Sequence, residues 1–107
     1  MAYDPVTADR IRRSLADRDD VVEKRMVGGL SFMVDGRMCC GVTSGGLMVR
    51  LGSDGAVRAL DEPHVRPMVF GGRPLAAFVV IEPEGFADDP ALAAWFGRAL
   101  EFLAREG

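Results

Sequence analysis

Two adjacent cysteines, Cys39 and Cys40, stand in the segment RMCCGV (37–42) and are the only cysteines in the chain. A thiolate is a nucleophile, a redox group and a soft metal ligand, so the pair raises three chemistries. A disulfide between them is opposed by geometry. Neighbouring Cα atoms lie about 3.8 Å apart, below the usual disulfide range, and a regular strand turns successive side chains to opposite faces. The same alternation keeps the two thiols from chelating one ion, and structural zinc wants four ligands where the single histidine, His64, could add only one. No metal and no cofactor is therefore expected. His64 itself, in DEPHVRPM, could act as a general base, but no serine or cysteine accompanies it in a motif, and a solvated loop histidine is the plainer reading. The pairs Gly28-Gly29, Gly45-Gly46 and Gly71-Gly72 fit neither phosphate-binding pattern and read as turns or bulges. Glu82, Glu84, Asp88 and Asp89 form an acidic cluster before the last helix, where Asp88 and Asp89 suit its positive end. Catalytic residues are thus not indicated, and the chemistry left open is a single reactive thiol.

Which thiol depends on the elements that carry them. YDPVTADRIRRSLADRDD reads as a helix capped by Asp4 with Pro5 at its first position, and with Ala8, Ile11 and Leu15 on its apolar side. Val21 to Val27, Leu30 to Val34, Arg37 to Val42 and Leu47 to Leu51 read as strands. Asp35-Gly36 forms a type I′ hairpin turn between the second and third. GSDGAVRALDEP reads as a short helix with Ser53 as cap, and strands follow around Met68 to Phe70 and over Ala76 to Glu82. The final helix is capped by Asp89, carries Leu92, Trp95, Phe96, Ala99, Leu100 and Leu103 as one stripe, and can end at Gly107. The order α-β(3-4)-α-β2-α predicts a two-layer α+β fold, an antiparallel sheet with helices on one face, as one domain over residues 1–107.

The Asp35-Gly36 turn then sets a register in which Phe32 opposes Cys39, Ser31 opposes Cys40, and Cys39 opposes Arg50. Directly opposed residues share a face. Met33, Met38, Cys40, Val42, Leu47, Val49 and Leu51 should lie under the helices. Leu30, Phe32, Val34, Arg37, Cys39, Met48 and Arg50 should form a mixed, open face. Cys40 is then a core residue. Cys39 is the candidate reactive thiol, with Arg50 beside it to favour the thiolate. Phe32, Val34, Arg37, Met48 and Arg50 are the candidate interaction surface, since a monomer rarely leaves such a patch uncovered. Glu23 to Arg25 with Arg37 and Arg50 could hold an anion, though a solvated strand face is the plainer reading.

Composition narrows the partners. The 107 residues are 49% hydrophobic, enough for a packed core. Net charge is −3, and Lys24 is the one lysine among 13 basic residues. Binding duplex DNA requires phosphate neutralisation by a basic patch, so direct nucleic-acid binding is not expected. No run of 18 apolar residues is present and no signal-like segment opens the chain, which predicts a cytoplasmic protein with reduced thiols and no membrane contact.

EKRMVGGLSFMVDGRMCCGV, then LMVRLG, then HVRPMVFGGRPLAAFVVIEPEG, resemble the N-terminal domain of the TfoX/Sxy family over Tyr3 to about Leu103. Members typically read lysine-methionine-phenylalanine-glycine-glycine around Met26 to Gly29, and Val27 departs from that phenylalanine. Met38-Cys39-Cys40-Gly41, Arg66-Pro67-Met68 and Gly72-Arg73-Pro74 also look like the family. The resemblance implies a two-layer α+β domain with three helices, and brings no catalytic residue with it. It also implies a link to transcriptional regulation. The competence regulators of the family promote transcription of DNA-uptake genes together with cAMP receptor protein, and they carry a second, C-terminal domain beyond the part that resembles this chain. The expectation is a non-enzymatic regulatory or interaction module whose partner is a protein, for instance a transcription regulator. That partner would dock on the mixed sheet face or on a strand edge, and self-association through that face stays open. The alternatives are a redox sensor or enzyme using Cys39 and a small-ligand sensor with a pocket between sheet and helices.

Overall fold

A computed structural model describes residues 3–26, 28–44 and 46–106. Expectations that fall on Val27, Gly45 and Gly107 lie outside these residues. The elements run α1 (Pro5–Ser14), β1 (Val21–Met26), β2 (Gly29–Val34), β3 (Arg37–Thr43), β4 (Gly46–Arg50), α2 (Gly52–Ala59), β5 (Val65–Phe70), β6 (Arg73–Ile81) and α3 (Asp89–Glu106), with a 3-10 turn at Pro83–Phe86 before α3. This is the predicted α+β class and order. The strands form one antiparallel sheet in the order β1-β2-β3-β4-β6-β5. β4 leads into α2, which packs on β6, so the hairpin of β5 and β6 returns to the sheet beside β4.

Each helix forms for a local reason. Asp4 caps α1: its carboxylate accepts from the Val6 N–H at 3.2 Å and from the Thr7 hydroxyl at 2.8 Å. Pro5 occupies the first position, where a missing N–H costs nothing. The cap of α3 is Asp88, one residue earlier than expected, with its carboxylate accepting from the Ala91 N–H at 2.8 Å. Asp89 is instead free to meet Arg10 of α1 at 3.1 Å. Nor is Ser53 the cap of α2. That helix starts at Gly52, preceded by Leu51 without a side-chain cap bond. Gly52 has a φ of +79°, and the Phe102 ring lies where its Cβ would stand.

The helices cover one face only. Ala8, Ile11 and Leu15 of the α1 segment, Ala56 and Ala59 of α2, and Leu92, Trp95, Phe96, Ala99 and Leu103 of α3 share one core with the sheet. From the strands come Leu30, Phe32, Val34, Val42, Leu47, Val49, Val79 and Ile81. Trp95 closes the end of this layer, its indole N–H donating to the Gly85 carbonyl at 3.1 Å. Arg98 stacks over Trp95 at 4.3 Å and grips Glu62 with two hydrogen bonds of 3.1 and 2.8 Å.

The sheet departs from the expected register at one point. The Asp35-Gly36 turn has positive φ at both residues (52° and 78°), as type I′ requires. Val34 pairs with Arg37 and Met33 with Met38, as read from the sequence. Phe32, however, pairs with Cys40, and Leu30 with Val42. Cys39 is an extra residue, a β-bulge. One inserted residue reverses the faces of everything beyond it. Leu30, Phe32 and Val34 therefore lie under the helices with Cys40 and Val42, while Met33 and Met38 turn to the open side. The β3–β4 pairing, Cys40 with Val49 and Val42 with Leu47, is as expected.

Two substitutions test these features. Arg12 joins α1 to β1 through two 2.7 Å bonds to Glu23, and the guanidinium holds the Glu23 carboxyl below its ordinary value of 4.5. Both side chains are more than a third exposed, so Glu23→Gln should cost no more than about 1 kcal/mol at neutral pH. Because the folded-state pKa is depressed, that difference should be full above about pH 4.5 and close as pH falls below it, measured by urea unfolding at stepped pH. Gly52→Ala forces both the left-handed backbone and the Phe102 ring, and should cost at least about 2 kcal/mol in the same assay.

Candidate functional site

The bulge decides the environment of the thiols. Both Cys39 and Cys40 are free and fully buried, at 0% exposure, within the core under the helices. The expectation that alternation parts them is corrected: the extra residue turns both side chains to the same side. The Cys40 thiol is held well above its ordinary value by donating to Cys39 and by burial, while accepting that bond lowers Cys39. The cation that adds to the lowering is Arg18, from the turn after α1, and not Arg50. A thiol with no exposed surface cannot meet a substrate or oxidant in the folded state, so Cys39 is not the exposed reactive group that the register reading made it.

The candidate interaction surface also separates. Phe32 and Val34 are core residues. Arg37 is half-buried on the helix side, lining a cleft with Arg18, Asp20 and Leu100. Met48 and Arg50 do lie on the open side, but neither is freely presented. Met48 is 1% exposed. Arg50 lies between the rings of Phe78 and Phe102, 5.8 and 5.7 Å from their centroids, and donates to the Met38 carbonyl at 3.4 Å. Its buried Nε is the one buried side-chain N or O among the described residues without a hydrogen-bond partner. His64 is exposed, with a φ of 67°, and its carbonyl accepts from the Glu82 N–H at 2.8 Å, which is a turn's work. Among the described residues no three of His, Cys, Asp and Glu lie together as ligands, and no helix is long and apolar enough to cross a membrane.

The open side has a core of its own. Met48, Met68 and Val80 are buried there, and Met26, Met38 and Phe78 pack against them. Met33, paired with Met38, shares the face. All five described methionines thus stand on the side of the sheet without helices. Gly41 makes room for them, since a Cβ there would meet the Met48 methyl and the Leu30 carbonyl at 2.8 Å each. Met26 belongs to β1 and Met68 to β5, the two outermost strands, yet both line one cleft of about 320 Å³ with Thr43, Arg66, Phe70 and Val80. The sheet is therefore curled toward its open side, with methionines filling the curl. At the rim, Val69 is 59% and Phe70 51% exposed.

The charges on the sheet are one-sided. Its strands carry Lys24, Arg25, Arg37, Arg50, Arg66 and Arg73, against the one carboxylate Glu23. By alternation Lys24 shares the open face with Met26, and Arg73 pairs directly with Phe70. Arg66 meets Glu82 at 3.3 Å across half-exposed side chains. Among the described residues no carboxylate lies within ion-pair distance of Lys24 or Arg73. The methionine face escaped the sequence reading because the bulge reversed Met33 and Met38. The available signal was that Met26, Met38, Met48 and Met68 each stand at the same parity as a small or polar neighbour two residues away, the pattern of an outward face.

Residues 13–103 match the family described as TfoX N-terminal domain. No curated protein and no solved structure matches the chain.

Burial of both thiols has a direct readout. In the native protein Cys39 and Cys40 should label with iodoacetamide equally slowly, at the rate at which the structure opens, and rapidly together once denatured. Fast labelling of Cys39 alone at neutral pH, read by peptide mass, would place it at the surface.

Proposed function

Because the chain belongs to the TfoX N-terminal domain family, we propose that it is a regulatory module that works by protein contact rather than catalysis, and that its contacts serve transcriptional regulation. The observation that carries this reading is the curled, methionine-filled open face of the sheet with its exposed rim at Val69 and Phe70. Methionine is unbranched and polarizable, so such a surface re-packs around an apolar partner at low cost. An open sheet with flexible side chains and two free strand edges suits recognition of another chain. The buried thiols take no part in this role.

Electrostatics favours a protein over DNA as that partner. The chain carries a net charge of −3, and its basic side chains on the open face are few and set among apolar ones. Neutralising several phosphates at once needs a denser patch. Labelled duplex DNA should therefore show no submicromolar binding by anisotropy at about 0.15 M salt. A tight, salt-sensitive affinity would overturn the reading. Tagged protein returned to its host and cross-linked should capture a defined protein in near-stoichiometric amount. Recovery of nothing beyond background would refute a contact role.

A further inference from the structure

Resting on that reading, we infer that the cleft between β1 and β5 is a docking groove for an acidic peptide segment of another protein, a segment with a large apolar side chain flanked by carboxylates. The groove supplies both halves of such recognition. Its floor is Met26, Met68 and Val80, apolar and deformable, with Phe70 at the rim. Of its charged border, Arg66, beside Glu82, lines the groove directly; outside the lining, Lys24 stands two residues from Met26 on the same face of β1 and Arg73 pairs with Phe70, with no carboxylate within ion-pair distance of either among the described residues. The border is thus positive on a chain that is negative as a whole. The acidic side chains Asp54, Asp61, Glu62, Asp88, Glu101 and Glu106 lie on helices and loops instead. An apolar anchor fills the floor and carboxylates meet the rim, while the same field disfavours basic segments.

The competing occupants fit less well. A second copy of this chain joined face to face would bring Lys24, Arg66 and Arg73 against their own kind. Single-stranded nucleic acid would meet the positive rim but needs aromatic platforms for its bases, and the floor is methionine rather than a row of rings. Both flanking strands have a free outer edge, so an extended segment can add main-chain hydrogen bonds to one of them, while Pro67 leaves β5 one N–H short. β1 is accordingly the edge that the segment pairs with.

The test uses the whole chain. A random-peptide phage library is selected on immobilised protein, and the enriched peptide is titrated into protein carrying carbon-13 at the methionine methyls, each signal assigned through a single Met→Leu variant. The expected sequence has carboxylates on both sides of a large apolar residue, and it should move the Met26 and Met68 signals. The doubly exposed variant K24E/R73E should melt as the parent does and bind about tenfold more weakly, and about 1 M salt should weaken the parent to a similar degree. Enrichment of neutral or basic peptides, or of none, overturns the inference. So does a peptide that binds without moving Met26 and Met68, which would seat the partner elsewhere and leave the contact role standing. Shifts of the same methyls with protein concentration alone would assign the groove to a second copy. Tighter binding there by a random RNA oligonucleotide would assign it to nucleic acid. Failure of the contact role itself is read separately, from the cross-linking capture.

Discussion

One inserted residue governs the sheet. The Asp35-Gly36 turn fixes the pairing at Val34 with Arg37, and the core needs Phe32, Cys40 and Val49 on one side. A regular ladder cannot meet both demands, because a shift of one residue sends every side chain of a strand to the other face. Leu30, Phe32 and Val34 would then leave the core. Each is worth about 1.5–3 kcal/mol when fully buried, so their loss would rival the 5–15 kcal/mol that separates a typical domain from its unfolded state. The bulge at Cys39 reconciles turn and core. It also explains why a cysteine tolerates the place: a small apolar side chain packs in the interior without the bulk of a second leucine or phenylalanine.

The parts of the fold that were legible in the sequence are those specified by local chemistry. Asp4-Pro5 announces the start of α1, Asp35-Gly36 announces a hairpin, and the stripe from Leu92 to Leu103 announces a buried helix. The bulge has no such mark. No glycine stands at Cys39, and cysteine is at home on either face, so periodicity runs through the site unbroken. The same silence misassigned Asp89 as a cap. Two adjacent aspartates are equivalent as residue types, and only the path of the chain assigns Asp88 to the helix and Asp89 to Arg10. The candidate site inherited the first error in full: with the parity of β2 reversed, Phe32 and Val34 looked open and Met33 and Met38 looked buried.

The two faces of the sheet are packed by different means. Under the helices the core is branched and aromatic, with Ile11, Phe32, Leu47, Ile81, Leu92 and Phe96 in close contact. Such side chains have few rotamers and fix one arrangement. Inside the curl the filling is methionine, which adapts to an irregular space. Arg50 stands at the boundary, its guanidinium between a ring of the sheet, Phe78, and a ring of α3, Phe102. Attraction of the cation to the two ring faces compensates in part for the buried Nε that has no partner. Rigidity is thus concentrated on the helix side and compliance on the other, an arrangement that lets the open face change shape without disturbing the fold that supports it.

The sheet is not closed into a barrel, and that leaves two bare strand margins in a concentrated cell. Chains with such margins are prone to stack end to end into fibres. Here β1 places Glu23, Lys24 and Arg25 in succession along its margin, and β5 places Arg66 and Pro67 along the other. Proline interrupts the ladder that a growing fibre would extend, and the cations repel an identical margin. The same charged and proline positions that flank the proposed groove thus act as guards against runaway self-templating, so a substitution that neutralises them would lower colloidal safety as well as alter that face.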